Sequence, residues 1–424
     1  MSAPGHHHAL TPARERATLL ALAAVQFTHI LDYMIMMPLG PDLMRVFRIS
    51  PSQFSLLVAA YGLAAALSGF AGGFMLDRFD RKRALLILYA GFGLSTFACG
   101  LAPTHHWLLV ARFAAGAFGG IAGSLVTAMV ADVIPPERRG RAMSVVMAAF
   151  PLASIFGIFA GTTLAGDFGW HAPFFMLAGC AAVNLVLASI ALPPIRTAVL
   201  HHDPVRQMKE ILSHGVHLRA FAVGAVLVMA GGCLIPFLAP SFISNAGLHG
   251  LKELRWAYVA GGAAAFVSMM YVGQLSDRVD RLGLLAWMSA AAVVVTLFIT
   301  RLGPTSLTVA CVMMALFMVT MSSRFAPAMT MVTNAVEARY RGGFMSVNSA
   351  LQQAASGLAN VLAGFFVTSD AAGHLVGFPL LGYVSIGFFV LTVLLAAELR
   401  AAAPHVSAPA GKNPAPAPIV DAAA

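Results

Sequence analysis

Asp32 is the only acidic residue well inside a long apolar run, in a sequence that is 59% hydrophobic and 10% charged. It lies in the run 17–40, with His29 one helical turn before it and Tyr33, Met34, Met36 and Met37 after it. Arg112 lies inside another such run, 107–131. A charge in hydrocarbon costs at least ~2.5–3.5 kcal/mol on insertion scales, so each needs a partner or a task. A carboxylate and a guanidinium can serve each other. With Arg112 close, Asp32 stays ionised. Away from it, a carboxylate kept from water takes up a proton, while the guanidinium never gives one up. The same two residues can equally form a structural ion pair that only fixes helix packing. His29 can relay protons or hydrogen-bond a ligand, or be a satisfied core histidine. The methionines suit a flexible apolar wall and ordinary packing alike.

For these residues to meet, the runs around them must cross a bilayer. The mean hydropathy is +0.82, and soluble domains carry about 25% charge, so this is an integral membrane protein. The runs are long and continuous, not alternating ten-residue segments, so they are helices and not barrel strands. Twelve spans are expected, at 17–40, 53–75, 84–102, 107–131, 142–165, 172–192, 219–243, 253–275, 283–302, 306–330, 342–368 and 378–398. The first has no cleavage site behind it and reads as a retained helix. Residues 1–16 form a polar tail, 193–218 a linker, and 399–424 a tail that reads as disordered. Val205–Leu218 can form an amphipathic helix on the membrane surface.

With the N-terminus inside, nineteen of the 26 Lys and Arg fall on inner segments and five on outer loops. That asymmetry sets orientation and explains the net charge of +9 without a nucleic-acid partner. The expectation is a multi-pass membrane protein with both termini cytoplasmic. Depth then follows from helix rise. Asp32 is fifteen residues beyond Ala17, roughly 22 Å from the inner face. Arg112 is five residues beyond Trp107 on an inward-running helix, roughly 8 Å below the outer face. In a core about 30 Å thick the two depths coincide.

One charged figure occurs twice. GFMLDRFDRKR (Gly73–Arg83) returns as GQLSDRVDR (Gly273–Arg281), with Gly73, Asp77, Arg78, Asp80 and Arg81 matched by Gly273, Asp277, Arg278, Asp280 and Arg281. Glu137 and Glu337 repeat at the same offset. Two related six-span halves are a transporter layout.

With these motifs the chain resembles the major facilitator superfamily over about residues 17–398, and within it the bacterial drug and sugar efflux (arabinose-efflux-like) branch. The family's loop signature, Gly-x-Leu-Ala-Asp-Arg-x-Gly-Arg-Lys, is matched by Gly73, Asp77, Arg78, Arg81 and Lys82, with Asp80 in place of the second glycine. Arg112 and Gly116 match an Arg-x-x-x-Gly motif of the fourth helix. FPLASIFGIFAG in the fifth span has Pro151, Gly157 and Gly161 but no Gly-Pro pair, and GWHAPFF (Gly169–Phe175) is similar to the start of the sixth helix in efflux members.

The resemblance implies an all-α integral membrane fold, with 12 transmembrane helices in two pseudo-symmetric six-helix bundles, 17–192 and 219–398. It implies secondary active transport of a small-molecule substrate by alternating access. Proton-coupled export is the expectation and proton-coupled import of a sugar or organic anion the alternative. Helices 1 and 4 line the family's cavity, which makes an Asp32–Arg112 pair reasonable. Tyr33, Asn348, Gln352 and Arg324 are candidates for the substrate cavity; Arg324 reads either as snorkelling to the headgroups or as a cavity cation.

Gly73, Asp77, Arg78, Arg81, Asp132, Gly273, Asp277, Arg278 and Arg281 are candidates for gating. Asp77 can cap helix 11, Arg81 can reach Asp132, and Gly73 can let helices 2 and 11 approach. Such contacts would hold the halves together on the inside. Pro236 and Pro240 are expected to bend the seventh span. Cys99, Cys180, Cys233 and Cys311 read as small core residues. Neither metal nor cofactor is expected, and no HExxH, GxSxG or GxxxxGK[ST] motif marks an enzyme. The oligomeric expectation is a monomer.

Overall fold

Runs rich in Ala, Leu and Met fold as helices, and they break where proline, glycine or a capping side chain intervenes. A computed structural model of the chain describes residues 12–75, 80–134, 136–193, 204–337, 340–371 and 373–408. Helix α1 (Pro12–Ile35) passes through a turn into the short α2 (Gly40–Phe47). Next come α3 (Pro51–Met75), α4 (Arg81–Gly100) and α5 (His105–Val133). The fifth span is segmented into α6 (Pro136–Met147), α7 (Ala149–Leu152), a π turn (Ala153–Gly157) and α8 (Ile158–Phe168). Pro151 has no N–H to give the helical ladder, and the π turn follows directly. α9 (Ala172–Ala191) and α10 (Pro204–Ser213) precede α11 (Gly215–Gly232) and α12 (Ile235–Ser244), which together make the seventh span. The break between them falls just before Pro236, in the first turn of α12. α13 (Leu251–Ser276), α14 (Arg281–Ile299), α15 (Leu307–Asn334) and α16 (Arg341–Phe366) lead to a two-stranded pair, β1 (Thr368–Ser369) with β2 (Leu375–Val376). α17 (Phe378–Ala402) is followed by a 3-10 turn, Pro404–Ser407.

Among the described residues eleven helical spans, counting α6 to α8 as one and α11 with α12 as one, are long and apolar enough to cross a membrane. The twelfth expected span, α16, is 26 residues long but carries Asn348, Gln352, Gln353 and Asn360. These amides dilute its hydropathy, and α16 can carry them because it packs against α3 and α11.

The two aspartates that replace glycine in the repeated figure have the same local task. Asp80 caps α4 by accepting from the Arg83 N–H at 2.9 Å, and Asp280 caps α14 by accepting from the Gly283 N–H at 2.8 Å. Each satisfies a helix-end donor that would otherwise lack a partner.

Packing differs at the two ends of the molecule. At the end remote from the termini one apolar core runs through both sets of helices, joining Ile35, Leu39 and Phe54 to Leu234, Phe237 and Phe242. At the end that carries the termini the core divides. Leu85, Met129 and Val146 belong to one cluster, and Phe221, Met331 and Phe344 to another. The hydrogen bond from Arg255 to the Thr163 hydroxyl (3.2 Å) and the ring pairs Phe54–Phe237 and Phe159–Trp256 also cross at the remote end. Among the described residues the two sets therefore share an apolar core at the remote end, and towards the termini, beyond the α3–α16 crossing that brings Gly62 against Gln353 and Gly357, each has a core of its own.

Three expectations change. The segment after Ala402 is not disordered from its start. Val406 is buried with Met331 and Leu399, Arg281 donates to the carbonyls of Val406 and Ala408, and His405 meets the Asn334 carbonyl. One apolar anchor and one arginine suffice to order it. The expected helix Val205–Leu218 is two helices, because His214 ends α10 and opens α11. Of the cysteines, Cys99 and Cys233 are buried but Cys180 is exposed.

Close crossings depend on glycine. A Cβ at Gly116 would overlap the Tyr61 carbonyl oxygen, and one at Gly120 would lie 2.6 Å from the Ala65 Cα. Gly116→Val is expected to destabilise the protein by about 1–3 kcal/mol, the usual range for overpacking. Gly273→Ala, with open space around position 273, is expected to cost nothing. Thermal unfolding of the purified variants reads the difference.

Candidate functional site

Four helices bring the site together. α1 carries His29, Asp32 and Tyr33; α3 carries Tyr61; α4 carries Thr96; α5 carries Arg112. Asp32 and Arg112 are both fully buried. Arg112 Nη1 donates to Asp32 Oδ2 at 2.7 Å and to the Asp32 carbonyl at 3.2 Å. The Thr96 hydroxyl donates to the other carboxylate oxygen, Oδ1, at 3.2 Å. The guanidinium lies over the Tyr61 ring, 4.5 Å from its centroid. Each charge thus gains a counter-charge, a hydrogen bond or an aromatic face in place of water.

Tyr61 links this pair to its surroundings. Its hydroxyl shares a 2.6 Å hydrogen bond with His29 Nδ1, and its ring meets that of Tyr33 at 5.6 Å. The Tyr33 hydroxyl shares a 2.9 Å hydrogen bond with Ser356 of α16. A continuous line therefore runs from α16 in the C-terminal set, through Tyr33 and Tyr61, to Arg112 and Asp32. Gly119 makes room for it, since a Cβ there would lie 2.6 Å from the Tyr61 hydroxyl and 2.8 Å from His29 Nδ1. Sequence reasoning missed Tyr61, Thr96 and Ser356. The only signal for Tyr61 was that it is the one tyrosine in the run 53–75.

The remaining candidates are dispersed. Asn348 is buried and faces α11, where a Cβ at Gly224 would lie 2.7 Å from its Oδ1. Gln352 Nε2 lies 3.2 Å from the Met329 sulfur of α15. Both amides therefore touch helices of their own set.

Arg324 takes neither of its expected places. It is 1% exposed, donates to Ser289 of α14 at 3.1 Å and to Thr392 of α17 at 3.5 Å, and lies 4.3 Å over the Phe389 ring. Hydroxyls and an aromatic face inside its own bundle hold it, so it neither reaches the headgroups nor lines the space between the sets.

In the first hinge, Gly73 is near the end of α3, and Asp77 and Arg78 lie outside the described residues. Arg81 Nε meets Asp132 Oδ2 at 2.7 Å. Both belong to the N-terminal set, so this pair ties α4 to α5 and does not bridge the halves. In the second hinge Gly273 has open space beside it, Asp277 and Arg278 are exposed, and Arg281 is turned to the C-terminal segment. The expected cap of Asp77 on the eleventh span therefore falls outside the described residues, and Arg281 is engaged within its own set.

A family model described as Major Facilitator Superfamily matches residues 22–360. An uncharacterized MFS-type transporter, YceJ, of Bacillus subtilis (strain 168) is 33% identical over 173 residues, 41% of this chain and 44% of that protein. Multidrug resistance protein 2 of the same organism is 27% identical, over 51% of this chain and 56% of that protein. The chloramphenicol resistance protein of Streptomyces lividans is 28% identical, over 57% and 62%. The chain spans about half the length of the curated relatives it matches. Among solved structures, a bacterial homologue of the human lysosomal transporter Spinster, inward-facing and occupied, matches with a TM-score of 0.75 at 17% identity, covering 94% of this chain and 99% of that one. At that identity the likeness is one of fold.

Removing one member of a buried pair strands the other, at a cost of about 3–5 kcal/mol. Arg112→Leu is expected to destabilise the protein by that order. Adding Asp32→Leu in the same chain is expected to recover part of the loss, because no charge is then left alone. A double-mutant cycle on unfolding of the purified protein checks this; strictly additive losses would show that the two side chains do not interact.

Proposed function

This chain belongs to the Major Facilitator Superfamily, and we propose that within it the protein is a proton-coupled antiporter that exports small organic compounds by alternating access. The observation that carries the reading is the fully buried ion pair, Asp32 Oδ2 to Arg112 Nη1 at 2.7 Å. A structural pair could be placed anywhere in the bundle. This one sits beside Tyr33, whose hydroxyl bond to Ser356 reaches into the other set of helices.

The chemistry follows from charge. Asp32 has two ways to satisfy its negative charge, the guanidinium or a proton. When the pair is intact, Arg112 and Thr96 supply the carboxylate's partners. When the sets rock apart and Tyr33 loses Ser356, Tyr61 is free to shift, and with it the guanidinium stacked on its face. Without its cation, the carboxylate accepts a proton in its desolvated site. Arg112 cannot release one, so the proton enters and leaves at Asp32. His29, hydrogen-bonded to Tyr61, is placed to relay it. Substrate that holds Tyr33 and Tyr61 in place keeps Arg112 on Asp32, which makes proton and substrate alternative occupants.

The two six-helix bundles, 17–192 and 219–398, are the bodies that rock, joined by the linker 193–218. They meet at the end remote from the termini. In a bacterial inner membrane with both termini in the cytoplasm, that arrangement is open to the cytoplasm. The Arg81–Asp132 pair ties α4 to α5 within one bundle. The resistance proteins among the relatives support export, and a monomer is the working unit.

Everted vesicles test coupling and direction together. An imposed inward-acid gradient is expected to drive uptake of an exported dye or antibiotic, and Asp32→Asn to abolish the gradient's effect while leaving passive exchange. Proton-driven flux unchanged in Asp32→Asn would refute the coupling role. Uptake driven only in right-side-out vesicles would reverse the direction to import.

A further inference from the structure

A second feature lies on the outer face of the N-terminal bundle, away from the ion pair. Between α1, α7 and α9 runs a groove of about 670 Å³. Leu20, Phe27, Val145, Leu152, Met176 and Val183 form its walls, and Gly179 leaves its centre open. Its rim is exposed apolar surface, with Leu20 65%, Leu152 45% and Val183 60% accessible. On a protein whose spans cross a membrane, that surface faces lipid.

The two polar residues in the groove are turned to the protein. The Thr28 hydroxyl donates to the Val25 carbonyl and shares a 2.5 Å hydrogen bond with Tyr89, and Asn184 Nδ2 donates to the Ala24 carbonyl at 3.2 Å. The groove follows α1 from Leu20 to Thr28, about 12 Å along the helix axis. It is therefore a long, apolar slot parallel to the spans.

Its two mouths differ in charge. One turn beyond Leu20, at the end that carries the termini, stands the exposed Arg16. Beside it the half-exposed Arg138 pairs with Glu15 at 3.1 Å. Towards the other mouth the lining segments have no cation, since no Lys or Arg occurs between residues 17 and 44 or between 142 and 195.

We propose that this groove binds one acyl chain of an anionic phospholipid, whose phosphate is held at the mouth by Arg16. The chain fills an apolar slot left between α1 and α9, and the headgroup meets the excess of positive charge on α1 and α6. Phospholipid so held would brace α1, the helix that carries Asp32.

Native mass spectrometry of the protein released from nanodiscs of equal phosphatidylglycerol and phosphatidylcholine tests this. One phosphatidylglycerol is expected to be retained about fivefold over phosphatidylcholine, the worth of one cation near an anionic headgroup. Arg16→Gln should bring the two lipids to parity while a lipid is still retained. A side chain at position 179 meets nothing within 4 Å, so Gly179→Trp should fill the slot and remove both lipids. Should that variant not fold, Val183→Trp on the exposed wall gives the same reading. Equal retention of the two lipids by the unaltered protein, or undiminished retention in the Trp variants, would overturn the proposal.

Discussion

A guanidinium and a carboxylate held together out of water constrain everything around them. Neither charge can be buried alone at a tolerable cost, so α1 and α5 must stay at one separation and one depth. Thr96 and Tyr61 complete the arrangement from α4 and α3, which ties four helices to a single pair of atoms 2.7 Å apart. The surrounding small residues follow from this. α5 can bring Arg112 over Tyr61 only because Gly116 and Gly120 let α3 lie almost in backbone contact, while Gly119 leaves room for the Tyr61 hydroxyl and His29.

The rest of the molecule arranges apolar contact around that centre unevenly. A continuous core joins the two sets of helices at one end, and separate cores serve each set at the other. An uneven distribution of this kind is what lets a structure have two arrangements, since one interface can be exchanged for another without unpacking either bundle. The breaks in the fifth and seventh spans, at Pro151 and before Pro236, fall in helices that take part in this interface. Polar contacts near the termini strengthen each set separately. Arg81 with Asp132 does so in one, and Arg281 with the carbonyls after α17 does so in the other.

Arg324 offers an instructive contrast with Arg112. Both are buried arginines over an aromatic ring, Phe389 in one case and Tyr61 in the other. Only Arg112 has a carboxylate. The hydroxyls of Ser289 and Thr392 are enough to accept from a guanidinium but offer no second charge state. The same residue type therefore supports a structural reading in one bundle and a switch in the other, and the difference lies wholly in the partner.

Much was legible without coordinates, because a bilayer imposes strong rules on sequence. Continuous apolar runs, the placement of Lys and Arg, and a charged figure repeated at an offset of 200 residues specified a helical membrane protein of two related halves and pointed to its family. Helix rise alone put Asp32 and Arg112 at one depth, since depth along a span is a one-dimensional quantity. Which neighbours complete the site is three-dimensional, and no periodicity distinguishes the tyrosine at 61 or the threonine at 96 from a core residue. The direction of Arg324, the pairing of Arg81 with Asp132, and the anchoring of the segment after Ala402 likewise emerged only from tertiary packing. Each depends on which helix faces which, and a run of apolar residues is equally satisfied by any apolar neighbour.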